Sequence, residues 1–504
     1  KVIIRIMKIF MSISISLLLT LFTDSIYSQK YFQQEVEYSI QVTLNDETHF
    51  LKGFETIHYT NNASHPLNHL YFHLWPNAYK NNHTQLAREQ FRKDGKHYLF
   101  NIYEQRGYID SLNFKVHGKE ISWDYHPEHI DICKLQLNKP LKPGETITIT
   151  TPFRVKIPLA VTSRLGYADQ SYKISHWFPQ PAVYNQKGWH ISPYTDRGET
   201  YSEYSSFNVS IRLPENYVVG ATGKLHTTDE KKWIKKRIKK TERKLGFNRE
   251  DLQTPISART YKTLNYQADS ITTFAWFADK RYHVLADKLH LPRSGKDITI
   301  RVFFTNEQAD LWRDATSYIK EGLRQYSEWY GPYPYDKFTA VMGAMGTKSK
   351  GNGYPMIASI GYAATSKQLE QAIIRGIGQS WFSGKVNIDP RKYPFLAEGL
   401  ITFSEKRYLT EKYGANTKLF PYLDVSQQLA KIADINDLSI TDETDLLYQF
   451  NARKNMDQPT KTPLSQLTRA NYFSVSKAKS AKAFQHLMHY LGKNQFDQRM
   501  KRFF

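Results

Sequence analysis

The spacing of apolar residues changes along this chain, and the change restricts the folds open to it. From residue 31 to about residue 284, short runs alternate apolar and polar residues, as in Tyr38–Leu44 and Phe207–Leu213, with Asn, Gly and Pro between the runs. Alternation at period two predicts antiparallel strands. Leu311–Tyr330 instead carries apolar residues at three- and four-residue steps, which predicts a helix with one apolar face. The order indicates an α+β fold, with sheet first and helices after.

The length of 504 residues suggests about two to four domains. We expect an N-terminal antiparallel β-sandwich or saddle domain over residues 29–285 and a mainly helical domain over residues 286–504. The sequence ends at Met500–Phe504 inside an apparent helix, so we expect the second domain to be truncated.

The first 28 residues have the pattern of a cleaved export signal. A basic start, Lys1–Lys8, precedes the apolar run Ile9–Phe22, and Ser28 is a small residue near the expected cleavage position. The alternative, a membrane anchor, is weaker because the run is shorter than the roughly 20 residues that a span needs. We therefore expect an exported protein of the periplasm or cell envelope. Cys133 is the only cysteine and lies far from this segment, so no lipid is attached through a cysteine there.

Part of the formal net charge of +21 is concentrated in Lys231–Lys244, where nine of fourteen residues are basic. Trp233, Ile234, Ile238 and Leu245 are spaced so that a helix would place them on one side. We expect a basic helical insertion near residues 228–250. It is either a solvated helix or a surface that binds an anionic membrane or polymer. Nucleic acid is not expected, because no nucleic-acid motif accompanies the patch and the protein is expected to be exported.

Two short segments carry a known spacing. Gln371–Phe382 is followed by Pro394–Gly399, and eighteen residues separate Gln379 from Glu398. The pair resembles the aminopeptidase N family of gluzincins, in which H-E-x-x-H is followed eighteen residues later by a Glu ligand. The resemblance places Arg375 at the first His, Gln379 at the second His and Glu398 at the third ligand.

The resemblance extends over most of the chain, from about Tyr31 to Phe504. Tyr71–Ala78 and Trp177–Tyr184 are similar to the N-terminal domain of bacterial members of the family. Membership would imply a thermolysin-like second domain, a catalytic zinc and aminopeptidase activity.

The residues at the functional positions differ from those of the family. No His or Cys occurs between Leu291 and Gln485. A guanidinium has no lone pair for zinc, and a neutral amide is a poor zinc ligand. Gly376 stands at the general base, Gly353 at the Glu that binds the substrate amine, and Lys477 at the catalytic tyrosine, or Ser476 if the register shifts by one. The sequence therefore predicts no cofactor, although the family uses zinc.

The candidate cleft residues are Arg375, Gln379, Glu398 and Tyr354. A buried carboxylate needs a partner, and Arg375 is the natural candidate for Glu398. His486 and His489 follow later in the chain and are interpreted as structural.

The sequence favours a non-catalytic homologue of zinc aminopeptidases that binds a peptide or protein in the old cleft, or serves as a structural subunit of an envelope assembly. The alternative is an active zinc-dependent aminopeptidase whose metal site is atypical, or whose metal ligands are residues other than those that the alignment with the family indicates. A third class, a protein that binds anionic surfaces through Lys231–Lys244, is compatible with the first.

Overall fold

A computed structural model describes residues 31–94, 100–159, 164–343, 351–386, 388–419, 422 and 437–504. The predicted export signal over residues 1–28 lies outside the described residues. The bounds of the strands are β1 Glu35–Asn45, β2 Phe50–Thr60, β3 Leu67–His73, β4 Tyr108–Asp110, β5 Lys115–Val116, β6 Lys119–Glu120, β7 Trp123–Tyr125, β8 Ile132–Leu141, β9 Thr146–Lys156, β10 Gly166–Ala168, β11 Ser171–Ile174, β12 Gln180–Pro181, β13 Val183–Asn185, β14 Gly188–His190, β15 Ser205–Pro214, β16 Val218–Ala221, β17 Lys224–Leu225, β18 Tyr261–Ile271, β19 Trp276–Asp279, β20 His283–Leu291, β21 Lys296–Phe304, β22 Lys337–Met342, β23 Asn352–Tyr354 and β24 Ile357–Ile360.

The helices lie mainly in the second half of the chain. Their bounds are α1 Gln85–Asp94, α2 Thr228–Glu242, α3 Ala309–Trp312, α4 Ala315–Tyr330, α5 Ser366–Lys385, α6 Pro394–Tyr413, α7 Asp442–Arg453, α8 Arg469–Asn471, α9 Ser480–Leu491 and α10 Lys493–Phe503. A π-helical segment, Tyr472–Lys479, joins α8 to α9. The fold is thus α+β with a sheet-rich N-terminal part. None of the helices in the described ranges is long and apolar enough to cross a membrane.

The N-terminal part is built on a nine-stranded sheet with the order β17-β18-β15-β1-β2-β9-β5-β6, and β4 pairs with β9 outside that path. Along β1 every second residue is buried, so the predicted alternation is present. The prediction of a purely antiparallel sheet is wrong at one pair, because β1 and β15 run parallel. These strands lie far apart in the sequence, and alternation within a strand carries no information about the direction of its neighbour.

The five-stranded sheet β20-β21-β22-β24-β23 supports the helices. It mixes the two directions, since β22 is parallel to β21 and to β24, whereas β20 is antiparallel to β21 and β23 is antiparallel to β24. The predicted division between residues 285 and 286 falls inside β20, and it stays a prediction.

Helix α5 crosses this sheet and packs against α4 and α6. It begins at Ser366, where the Thr365 side chain accepts a hydrogen bond of 3.2 Å from the Gln368 N–H. Helix α6 begins with Pro394, whose fixed φ suits the first helical turn. The buried aromatic rings of Trp381 and Phe382 belong to the hydrophobic core.

Candidate functional site

The candidate site lies where α5, α6 and the π-helical segment meet. The side chain of Glu398 on α6 is 6% exposed, and three groups reach it. Arg375 Nη2 on α5 lies 2.9 Å from Oε2, and Lys477 Nζ lies 3.3 Å from the same oxygen. The hydroxyl of Tyr472 donates a hydrogen bond of 2.8 Å to Oε1. The predicted pair of Arg375 and Glu398 is present, within a larger cluster.

A second carboxylate shares the guanidinium. Arg375 Nη1 lies 3.2 Å from Glu405 Oε2, and Gln371 Nε2 donates a hydrogen bond of 2.6 Å to Glu405 Oε1. Glu405 follows Glu398 by two helical turns, so both carboxylates lie on the same side of α6. The flat guanidinium therefore bridges two points along one helix.

The charges in this cluster shift each other's pKa values. Burial acts to raise the pKa of Glu398, but Lys477 and Arg375 outweigh it and lower the pKa to about 2. Burial also acts to lower the pKa of Arg375. The charges of Glu398 and Glu405 outweigh this effect and raise the pKa of Arg375 above its ordinary value. The pKa of Tyr472 is raised by burial and by the charge of Glu398. Glu398 is therefore ionised and Tyr472 is neutral at physiological pH.

Gln379 and Gly353 make a direct contact between α5 and β23. The Gly353 N–H donates a hydrogen bond of 2.7 Å to Gln379 Oε1. A Cβ atom at position 353 would lie 2.5 Å from the Gln379 Cβ and 2.7 Å from the Gly376 carbonyl oxygen. No side chain fits there unless the strand moves away from the helix.

Gly376 has a similar reason to be glycine. A Cβ atom at this position would lie 2.7 Å from the Ala358 Cβ of β24, which is closer than real Cβ atoms approach. The helix thus comes very close to the sheet at Gly376, which the family resemblance places at the general base. Helix propensity does not explain why a glycine occupies position 376, whereas the close packing against β24 does.

Tyr354 differs from its prediction as a cleft residue. Its side chain is buried, and its hydroxyl lies 2.9 Å from Ser175 Oγ in the N-terminal part of the chain. It does not line the cavity described next. The alternation within β23 turns Tyr354 away from the side of the sheet edge that Gly353 presents to α5.

The cluster borders a cavity of about 530 Å³. Its lining combines the cluster with residues from the N-terminal part, including the ion pair between Arg164 Nη1 and Glu199 Oε2 at 2.7 Å. The charged side chains of the lining are the bases Arg92, Arg164, Arg197, Arg375, Arg469 and Lys477 and the acids Glu89, Asp196, Glu199 and Glu398. The lining contains six basic and four acidic side chains, so it carries an excess of positive charge.

The sequence interpretation missed several residues of this site. Tyr472 lies five residues before Lys477, outside the positions, Lys477 or Ser476, at which the family resemblance places a tyrosine. The position of Glu405, seven residues after Glu398 on a predicted helix, was a signal that could have identified it. Arg164 and Glu199 have no local signal, because only the packing of distant segments brings them to the cavity.

These side chains do not fit a zinc ion at the position that the family resemblance indicates. Arg375 offers a cation without a lone pair, and Glu398 already accepts from three donors. Among the described residues, no group of three or more His, Cys, Asp or Glu side chains is placed to hold a metal ion. His486 and His489 lie on an exposed side of α9.

Neither the family models nor the curated protein sequences contain a match to this chain. Solved structures do match it. A two-domain M1 zinc metallopeptidase mutant bound to L-arginine is 14% identical with a TM-score of 0.56, and the alignment covers 94% of this chain and 86% of that one. The M1 zinc metallopeptidase from Deinococcus radiodurans is 15% identical with a TM-score of 0.55 and the same coverage. A mutant of the enzyme from that organism, bound to a Tyr-Ser-Ala substrate, is 14% identical with a TM-score of 0.55 and again the same coverage.

These neighbours overturn the prediction that no cofactor is to be expected, because each of them is a zinc metallopeptidase. That prediction treated the loss of two ligand positions as decisive for the whole molecule. Arg375 and Gln379 are two residues of one helix, whereas the similarity to zinc enzymes extends over nearly the whole chain.

The order of the sheet-rich and helical parts and the coverage of both agree with those neighbours. At this level of identity, the similarity concerns the arrangement of the backbone. The chain therefore has the fold of the two-domain M1 zinc metallopeptidases, the aminopeptidase N family.

Proposed function

We propose that this protein is an exported, non-catalytic homologue of the M1 aminopeptidases that binds peptides or peptide segments of proteins in the cavity beside Glu398. The observation that carries the proposal is the cluster of Arg375, Lys477 and Tyr472 around Glu398. Among the described residues, two cations and a hydroxyl surround that carboxylate, so contacts within the protein take up the place where a metal ion would bind it.

The cavity retains groups that suit a peptide. Arg92 and Arg469 are exposed at the lining, and the described part of the chain offers neither of them a carboxylate partner. A peptide carboxylate fits these cations.

One neighbour binds the tripeptide Tyr-Ser-Ala, which makes this tripeptide a suitable probe. We expect wild-type protein to bind it without cleaving it, as measured by calorimetry and by chromatography of the recovered peptide. Amidation of the carboxyl end should weaken binding about tenfold, whereas acetylation of the amino end should leave it within about twofold, since a lost charge-assisted hydrogen bond is worth about 1.5 to 3 kcal/mol.

Arg469→Glu tests the location of the binding site without disturbing the buried cluster. This exposed change should weaken Tyr-Ser-Ala binding at least about tenfold. Arg324→Glu is the matched control, because Arg324 is exposed on α4 and lies outside the cavity lining. Equal binding by wild type and both variants, or no binding at all, would contradict the proposal.

The second candidate is a zinc-dependent aminopeptidase. The fold shared with zinc metallopeptidases and the retained Glu398 favour it. It makes the opposite prediction for the modified peptides, because an aminopeptidase needs the free amino end. Metal analysis of the purified protein, together with turnover of alanyl anilide blocked by a chelator, would establish this candidate and exclude the first.

Export rests on residues 1–28 alone. Expression with the native start should give a mature protein that begins near Gln29 and that fractionates with the cell envelope. N-terminal sequencing checks this, and an uncleaved protein retained in the cytoplasm would contradict export.

A further inference from the structure

The basic helix α2 does not project from the molecule, and its inner side is anchored. Ile234 is buried, and Glu230 Oε2 lies 2.8 Å from Lys262 Nζ in an ion pair that is itself largely buried. Thr241 Oγ1 accepts a hydrogen bond of 3.2 Å from the Val284 N–H of β20. The helix is therefore fixed in orientation along the sheet.

The outer side of α2 presents the cations. At 100° per residue, the exposed basic residues fall within an arc of about 140° on the side opposite Ile234 and Thr241. We call this arc the basic face; its cations are Lys232, Lys235, Lys236, Lys239, Lys240 and Arg243, and the exposed Asp229 lies in the same arc. Of the six, Lys232 has an acidic partner in the described residues, an exposed contact of 3.4 Å with Asp229. The other cations of the face are available to an external anion.

Two large apolar side chains are exposed in segments that adjoin α2 or its groove. The predicted placement of Leu245 on the apolar side of the helix is wrong, because α2 ends at Glu242 and Leu245 is 97% exposed. Its carbonyl oxygen accepts a hydrogen bond of 2.9 Å from Arg313 Nη2, so the exposed position is held by the fold. Ile256 is 93% exposed, and Pro255 next to it borders the same surface groove as Lys236.

We propose that the basic face, with Leu245 and Ile256, binds the surface of an anionic membrane, a function separate from the peptide cavity. Clustered cations near a negatively charged surface are attracted to it, and salt screens that attraction. Exposed apolar side chains beside such cations enter the boundary between headgroups and acyl chains. A soluble polyanion has no apolar interior, and the two apolar side chains therefore favour a membrane.

Co-sedimentation with vesicles tests the attraction. Wild-type protein should bind vesicles that contain one quarter phosphatidylglycerol in phosphatidylcholine, and it should bind pure phosphatidylcholine at least about tenfold more weakly at low salt. The variant Lys236→Glu, Lys239→Glu, Arg243→Glu should lose at least about tenfold in affinity for the anionic vesicles.

The matched control changes the net charge by the same amount elsewhere. Lys52→Glu, Lys119→Glu, Lys187→Glu alters three exposed lysines of the N-terminal part, and it should bind as wild type does. Thermal unfolding of both triple variants verifies that they are folded. Equal losses in the two variants would show that net charge alone governs binding, and that result would overturn the proposal.

The variant Leu245→Ser, Ile256→Ser separates a membrane from a soluble polyanion. It should weaken vesicle binding at least about threefold at high salt, where screening leaves mainly the apolar contribution, and leave binding to heparin unchanged. If it leaves vesicle binding unchanged while heparin binding depends on the basic face, the surface serves a soluble polyanion and the membrane proposal is wrong.

Discussion

Arg375 links α5 to α6 in the candidate site through its side-chain ion pairs. Its guanidinium contacts both Glu398 and Glu405, and removal of one partner from a buried pair typically costs about 3 to 5 kcal/mol. Arg375→Ala should lower the free energy of unfolding by about 3 kcal/mol. This value is at the lower end of that range, because Lys477 and Tyr472 still stabilise Glu398. Denaturation in urea measures the change.

Arg324→Ala is the control for that measurement, because Arg324 is an exposed arginine on α4. Surface changes of this kind stay within about 0.5 kcal/mol. Equal effects of the two substitutions would show that the ion pairs of Arg375 contribute nothing to stability.

Glu398 gives the protein a defined acid sensitivity. Because its pKa is lowered from 4.5 to about 2, its ionised form stabilises the folded state fully above pH 4.5, and that contribution is lost as the pH falls towards 2. The difference in unfolding free energy between wild type and Glu398→Gln should therefore shrink as the pH falls from about 5 to about 2. Urea denaturation at a series of pH values measures this difference, and a difference that stays constant over the range would contradict the prediction.

At the scale of elements, the contact between α5 and β24 decides what position 376 can hold. Gly376→Ala gains about 1 kcal/mol of helix propensity, but its Cβ would overlap that of Ala358, and overpacking typically costs about 1 to 3 kcal/mol. We expect a net loss of stability. Ala358→Gly removes the overlapping atom, so the double variant should be more stable than the sum of the two single effects predicts.

If the effects of Gly376→Ala and Ala358→Gly on stability simply add, the helix can move away from the sheet at no cost in free energy. The same contact bears on a glutamate at position 376, because its Cβ meets the overlap that an alanine does. That substitution therefore requires a change in β24 as well as in α5.

At the scale of the whole molecule, the segment around residues 193–200 ties the sheet-rich part to the helical part. Arg391 Nη1 donates a hydrogen bond of 2.5 Å to Thr195 Oγ1, and Arg197 Nη1 donates one of 3.0 Å to the Leu467 carbonyl oxygen. The main hydrophobic core also runs from β1 to α10 without interruption. We expect one cooperative thermal transition, with coincident curves from far-ultraviolet and near-ultraviolet circular dichroism. Two separated transitions would contradict a shared core.

Much of the architecture was predictable from local pattern. Alternation identified β1 and β15, and helical spacing identified α4, because each depends on which residues face a core within one element. Parallel pairing of β1 with β15 was not predictable, since it depends on a partner about 170 residues away along the chain. The end of α2 at Glu242 was also missed, and this error placed Leu245 on the wrong side.

The sequence by itself determined the spacing of Arg375, Gln379 and Glu398 and the pairing of Arg375 with Glu398. Helix geometry fixes which residues of a helix share a face, and a buried carboxylate demands a partner. Only the tertiary structure decided that Tyr472, Lys477 and Glu405 join this pair, and that Gly376 and Gly353 permit close packing. Those contacts depend on how separate elements approach one another, and that distance is a property of the packed core that no local pattern contains.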